Sequence, residues 1–220
     1  MVSLGIIGGG SFGQALATTW TTISKDIKLY DKKNIKAPQE VTLVHSLEEI
    51  ITQDIIIITV PSRSVSLIVK QLSDYSFSQH QNILSATKGI SAHGSFMTDI
   101  IESHLSISPS QVFALSGPSI ASDLLKGSLT ELILGGDKHR GEKIAQTLSH
   151  DTLRIRTTSD KVGIQLLGFY KNIIAILMGI CEGIGLTINT KSALITKAYR
   201  ELYYRSISSI HRHTFLDFAG

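Results

Sequence analysis

The sequence predicts an α/β fold, a doubly wound and mostly parallel sheet, followed by an all-helical segment. Three observations lead there. The first two-thirds of the chain alternates short apolar runs with helical stretches, and several runs are apolar throughout, notably Ile55-Ile56-Ile57-Ile58. The alternation stops after Thr157, and from Ser159 to His213 there is neither a strand-like run nor a proline. Strands that read as continuously apolar are covered on both faces, as in parallel sheets flanked by helices. Strands alternating with helices of this length indicate right-handed βαβ units.

In chain order the candidate strands are Val2–Ile7, Ile27–Tyr30, Val41–Val44, Ile55–Val60, Asn82–Ala86, Gln111–Leu115, Glu131–Leu134 and Thr152–Ile155. Helices are expected between them at Phe12–Thr22, Ser46–Ile51, Ser64–Leu72, Gly94–His104 and Lys138–Leu148. Two longer helices follow, about Asp160–Cys181 and Asn189–Ser209, separated by Gly183-Ile184-Gly185, with Ser159 and Asp160 as a cap. The expected organisation is a sheet domain over 1–158 and a helical domain over 159–220.

Composition bounds the function. Of 220 residues, 42% are hydrophobic and 18% charged, enough for a sizeable core and unlike a disordered chain. A net charge of +3 with scattered basic residues is too small to imply a nucleic-acid partner, and none is expected. Cys181 is the only cysteine, so an intramolecular disulfide is impossible and a reducing, cytoplasmic setting is expected. The N-terminus enters a strand-like run without a leader pattern. The most apolar later stretch, Ile173 to Ile188, contains Glu182 and three glycines and is shorter than the roughly 20 residues of a membrane span. It is read as a buried helix, with no membrane insertion. His211 and His213 flank Arg212 with no further ligand cluster, so no metal site is expected.

The segment Gly8-Gly9-Gly10-Ser11-Phe12-Gly13 fits G-x-G-x-x-G, ends the first strand and opens a helix. In that context Gly8 permits the tight turn, Gly10 lets the backbone approach a pyrophosphate, and Gly13 allows close helix–strand packing. The helix N-terminus adds free N–H groups and the positive end of its dipole. This is the Rossmann-type dinucleotide turn; the alternative is a structural βα turn. Asp31 lies 18 residues beyond Gly13, where an acid would meet an adenosine ribose. Lys32 and Lys33 follow it, so NAD and NADP both remain open.

Further motifs come in order: Val60-Pro61-Ser62, Ser85-Ala86-Thr87-Lys88-Gly89, Leu115-Ser116-Gly117-Pro118-Ser119-Ile120-Ala121, Gly168-Phe169-Tyr170-Lys171-Asn172-Ile173-Ile174-Ala175-Ile176, and Asn189-Thr190-Lys191-Ser192-Ala193-Leu194-Ile195-Thr196. Together they resemble the NAD(P)-dependent glycerol-3-phosphate dehydrogenase family over essentially the whole chain. The resemblance implies an oxidoreductase that interconverts sn-glycerol 3-phosphate and dihydroxyacetone phosphate for glycerophospholipid synthesis, with NAD or NADP. By position it implies cofactor contacts at Gly8, Gly10, Ser11, Phe12, Gly13, Lys32, Lys88 and Ala121. It implies substrate contacts at Lys88, Gly117 and Ser119, and a catalytic lysine at Lys171, with Asn189 and Lys191 near the site. A lysine that exchanges a proton with the substrate needs a pKa lowered by burial or by a nearby cation, and Lys88 is the candidate cation.

Two departures qualify this expectation. The stretch between Lys33 and Val41 is shorter than in the family. The family's later Ser-Arg-Asn run and its aspartate have no counterpart, and Asp217 does not match the latter. A truncated helical domain is therefore expected to leave apolar faces uncovered, with Phe215, Leu216 and Phe218 needing burial. Such a surface favours oligomerisation, such as a homodimer, a separate partner chain, or instability. An inactive dinucleotide-binding remnant is the alternative function, and another two-domain dehydrogenase, such as a hydroxyacid or ketopantoate reductase, a third.

Overall fold

The computed structural model describes residues 2–206 and 210–218, with side chains through Phe215. The last positions of the expected helix Asn189–Ser209, and the expected burial of Leu216 and Phe218, lie outside the described residues.

Eight strands form one sheet: β1 (Leu4–Ile7), β2 (Ile27–Tyr30), β3 (Thr42–Val44), β4 (Ile55–Ile58), β5 (Asn82–Ser85), β6 (Val112–Ser116), β7 (Thr130–Gly135) and β8 (Leu153–Thr158). Their spatial order is β3-β2-β1-β4-β5-β6-β7-β8. All neighbours are parallel except β6 and β7, which are antiparallel, so β7 and β8 run against the rest. The chain builds outward from β1 through β2 to β3, then crosses back to β4. Strand order thus reverses beside β1, and ligands of open α/β sheets bind at that reversal, outside the carboxyl ends of the strands.

The helices are α1 (Ser11–Trp20), α2 (Leu47–Ile50), α3 (Ser62–Leu72), α4 (Met97–His104), α5 (Ala121–Leu125), α6 (Lys138–Leu148), α7 (Lys161–Gly183), α8 (Ile188–Ser206) and α9 (Arg212–Phe218). The run of isoleucines in β4 shows why both faces are covered. Ile55 and Ile57 join a core with Leu16 and Trp20 of α1 and Leu148 of α6. Ile56 and Ile58 join a second core with Val65 and Leu72 of α3 and Met97 of α4. Every residue of β4 is buried, as a period-2 strand between two helical layers requires. Trp20, fully buried, donates its indole N–H to Leu148 O at 3.0 Å and joins α1 to α6.

Two short helices escape the sequence pattern. α5 has five residues and α9 seven, and neither is expected from the sequence. α4 starts at Met97 rather than Gly94, because Ser91 to Ser95 close a turn (Ser91 N to Ser95 O, 2.9 Å) in which Gly94 has φ +81°.

The reading of Ile173 to Ile188 as a buried helix is corrected. Its helix starts upstream at Lys161 and runs 23 residues, and by length and composition alone it could cross a membrane. The first turns of α7 pack on the sheet, where Ile164 and Leu167 meet Ala114 and Ile133. Beyond Gly168 the helix leaves the sheet: Ile173 is 44% exposed and Ile176 66%. Apolar composition gives the helix; burial needs a facing partner, and no described element covers this stretch fully.

Candidate functional site

The glycine turn is built by the sheet reversal. Gly8 leaves β1 at φ +114°, a conformation that favours glycine. Thr59, at the end of β4, donates its N–H to Ile7 O (2.8 Å) and its hydroxyl to Gly8 O (2.7 Å). A Cβ on Gly13 would stand 2.0 Å from Gly8 O, so α1 approaches the turn as closely as a backbone allows. Gly10, the residue preceding α1, is different: a Cβ there would meet nothing within 4 Å. It faces open space and brings no side chain to cap the first N–H groups of the helix. Such uncapped N–H groups suit an anion.

Asp31 is committed to this turn. Its Oδ2 accepts from Gly9 N at 2.7 Å and its Oδ1 from Lys33 N at 2.8 Å. The acid that spacing placed beside a ribose also fixes the ends of β1 and β2 against one another.

Two clefts adjoin at the carboxyl edge. The larger, about 750 Å³, runs past the glycine turn and is lined by Gly8, Gly10, Ser11, Phe12, Lys32, Lys88 and Ala121, together with Asp31, Lys33 and Arg63. Gly13 lies beneath it, not in its wall. The second, about 460 Å³, is lined by Lys88, Gly117, Ser119 and Lys171, with Asp123, Asn172, Ile120 and Leu129. Lys88 and Ser119 belong to both. The structure thus brings together the expected positions from the two halves of the chain, Lys171 included. Asn189 and Lys191 line neither cleft; Lys191 is ion-paired with Glu182.

Local geometry explains several of these positions. Gly117 has φ +152°, and a Cβ on it would lie 2.7 Å from Glu131 O, so β6 leaves its neighbour β7 through a residue that must be small. The Ser119 hydroxyl is buried and has no hydrogen-bond partner among the described residues, an unsatisfied group at the junction of the clefts. Thr87 donates to Val60 O at 2.8 Å and fixes the loop carrying Lys88. Lys88 Nζ stands 6.0 Å from the centre of the Phe12 ring, at the limit of a cation–π contact. Burial lowers the pKa of Lys88 below the ordinary lysine value. Burial also lowers that of Lys171, and the Lys88 charge lowers it further.

Arg63, Asp123 and Thr59 are site features that sequence reasoning missed. Arg63 directly follows the recognised Val60-Pro61-Ser62, which was its one available signal. Asp123 sits in α5, a helix not expected from the sequence, and Thr59 acts only through the fold.

Family models describe both parts of the chain. Residues 28–141 match the NAD-dependent glycerol-3-phosphate dehydrogenase N-terminus and residues 160–220 its C-terminus. The chain belongs to the NAD-dependent glycerol-3-phosphate dehydrogenase family. Among relatives of this family, a glycerol-3-phosphate dehydrogenase [NAD(P)+] of Fusobacterium nucleatum is 31% identical over 92% of this chain and 66% of its own length. One from Acinetobacter baylyi is 33% identical over 98% of this chain and 65% of its own. The chain therefore spans about two thirds of the length of these relatives. Solved structures of glycerol-3-phosphate dehydrogenases share the fold: that of Coxiella burnetii has a TM-score of 0.88 at 22% identity, covering all of this chain and 73% of its own. That of Plasmodium falciparum also has 0.88, at 20% identity, with 100% and 70% covered.

Proposed function

We propose that the two clefts serve NAD(P)-dependent interconversion of sn-glycerol 3-phosphate and dihydroxyacetone phosphate. The observation that carries this reading is the placement of the Lys171 amine in a cleft that opens through Lys88 and Ser119 onto the glycine turn. The turn fits a dinucleotide: Gly10 leaves room for a pyrophosphate, and the uncapped start of α1 offers it N–H groups. Residues Gly8, Gly10, Ser11, Phe12, Lys32, Lys88 and Ala121 would hold the dinucleotide, with Gly13 shaping the turn beneath. The bound dinucleotide would supply or accept the hydride.

The chain's own residues then have separable roles. Lys171 as an ammonium ion donates a proton to the oxygen of the ketone as it becomes an alkoxide, and takes one back in the reverse direction. Its lowered pKa favours both steps, because donor and acceptor forms become accessible closer to neutral pH. Lys88 supplies a positive charge at the junction of the clefts, suited to an anionic substrate. The orphaned Ser119 hydroxyl offers a hydrogen bond there, and Gly117, whose missing side chain lets the chain leave β6 tight against β7, shapes the backbone before it. In this reading 1–158 is the dinucleotide-binding domain and 159–220 part of the substrate domain. A cytoplasmic setting and a homodimer belong to the same proposal, supported by the single cysteine and by the exposed apolar face of α7.

A second reading, a dinucleotide-binding protein without turnover, draws on the glycine turn alone, with its open Gly10 and the uncapped start of α1. Steady-state oxidation of NAD(P)H with dihydroxyacetone phosphate separates the two. Under the first, turnover is measurable and Lys171→Ala lowers it about 10²- to 10⁴-fold, the usual contribution of a positioned proton donor. Equal, nonzero rates would remove Lys171 from the role. Binding of NAD(P)H with no turnover selects the second reading.

A further inference from the structure

A buried polar network links the helix of Lys171 to the segment of Lys88, and nothing in the reaction described above uses it. At its centre is Gln165, 7% exposed, about one and two-thirds turns before Lys171 on α7. Its amide is fully engaged. Oε1 accepts from Thr98 N (3.2 Å), and Nε2 donates to Thr98 Oγ1 (2.9 Å) and to Lys161 O (3.0 Å). Thr98 is 1% exposed and sits in the first turn of α4, so Gln165 also satisfies one of that helix's orphan N–H groups. Lys161 is ion-paired with Glu102 on the same helix, a second tie between α7 and α4.

The α4 end of this network is the end of the Lys88 loop. Ile90, two residues after Lys88, bridges Phe96, the residue that precedes α4. Thr87, on the other side of Lys88, is held to Val60 O. The loop is therefore fixed at both ends, and one end is the turn that Gln165 grips.

We propose that Gln165 is a positioning residue: through Thr98 it locks the helix of Lys171 to the segment of Lys88 and so sets the spacing of the two amines. The proposal rests on reading those lysines as paired groups of one cleft. The lever is short. Six residues of helix rise span about 9 Å, and a rotation of about 10° about the helix axis moves a side-chain tip at a radius of roughly 6 Å by about 1 Å. Misplacements of that size cost about 10²-fold in a catalysed rate. A half-satisfied buried amide would not hold such a spacing; this one is complete.

The test reads the spacing without requiring turnover. Reductive methylation of the full chain, quantified at Lys171 by mass spectrometry across a pH series, reports how readily that amine loses its proton. The charged groups lining its cleft are Lys88 and Asp123. Lys88→Met should slow Lys171 modification several-fold at fixed pH, because a neighbouring cation is gone. Gln165→Leu should slow it in the same direction while leaving NAD(P)H binding at the glycine turn intact, and Thr98→Ser, which keeps the hydroxyl, should behave as wild type. The double variant Gln165→Leu/Lys88→Met should show no slowing beyond Lys88→Met alone, since both act through one pair. An unchanged profile in folded Gln165→Leu, or effects of the two substitutions that simply add, overturns the proposal. If Gln165→Leu does not fold, Thr98→Val, which keeps the Thr98 N–H contact, carries the same comparison. Absence of turnover with dihydroxyacetone phosphate would count against the proposed reaction and leave this test standing.

Discussion

The central strands of the sheet and the long helix α7 after it are both strongly apolar in sequence, yet they bury that apolarity differently. In β1 and β4 every residue is buried, and the helices on either side close the faces. In α7 the apolar character continues past Gly168 but the covering does not, and Ile173, Ile176 and Ile180 are exposed. A strand in a doubly wound sheet meets its partners through the same alternation that encodes it. A long apolar helix states only that it wants a partner. Lys171 stands at the border of the two regimes, half-buried, where α7 leaves the sheet.

The largest effect should come from the sheet. Ile57→Ala removes a fully buried side chain of β4 from the core it shares with α1 and α6 and should cost about 2–5 kcal/mol by urea denaturation. A cost below about 1 kcal/mol would mean that the sheet is no better packed than α7, and the contrast would fail. Next is Gly13→Val. Its Cβ would clash with Gly8 O and with Thr59 Oγ1, both parts of the turn. Forced overpacking of this kind costs about 1–3 kcal/mol, and NAD(P)H binding followed by fluorescence should be lost with it. Retained binding would show that the turn is not the dinucleotide site.

The sheet was almost wholly legible because its signals are local: each strand is an apolar run bounded by turn residues, and each flanking helix carries its own period. The reversal of β7 was not, since nothing within Thr130–Gly135 records the direction of its neighbour. The glycine turn was legible from spacing and context. Lys88, Gly117, Ser119 and Lys171 were legible only through ordered motifs, because chemistry that converges from β5, β6 and α7 leaves no spacing to count. Thr59, Gln165 and Thr98 left none either, as each acts on backbone or side chains far away in sequence.

A smaller effect should follow from Lys88, the lysine at the junction of the two clefts. Lys88 has a lowered pKa through burial, so in the folded state it gives up its proton at a lower pH than in the unfolded chain, whose lysines titrate near 10.4. Between those two values the unfolded state binds more protons, and stability rises with pH. Below that window the buried charge is a standing penalty. Lys88→Met should therefore melt higher than wild type at neutral pH, with the difference shrinking as pH approaches the ordinary lysine value. A difference that grows with pH, or a variant that melts lower at neutral pH, would mean that the Lys88 charge is held by favourable contacts and not merely desolvated.

The smallest change in stability, and the sharpest contrast with Ile57, should come from Ile176→Ser. Both are isoleucines in regular structure, but Ile176 is 66% exposed and Ile57 fully buried. If exposure in the monomer decides the cost, Ile176→Ser should alter the unfolding free energy by no more than about 0.5 kcal/mol. The same substitution should reduce any self-association seen by sedimentation, because Ile173, Ile176 and Ile180 together form an uncovered apolar face. A cost comparable to that of Ile57→Ala, rising with protein concentration, would show that a second copy already buries this face, and that the difference between sheet and helix disappears once the chain has a partner.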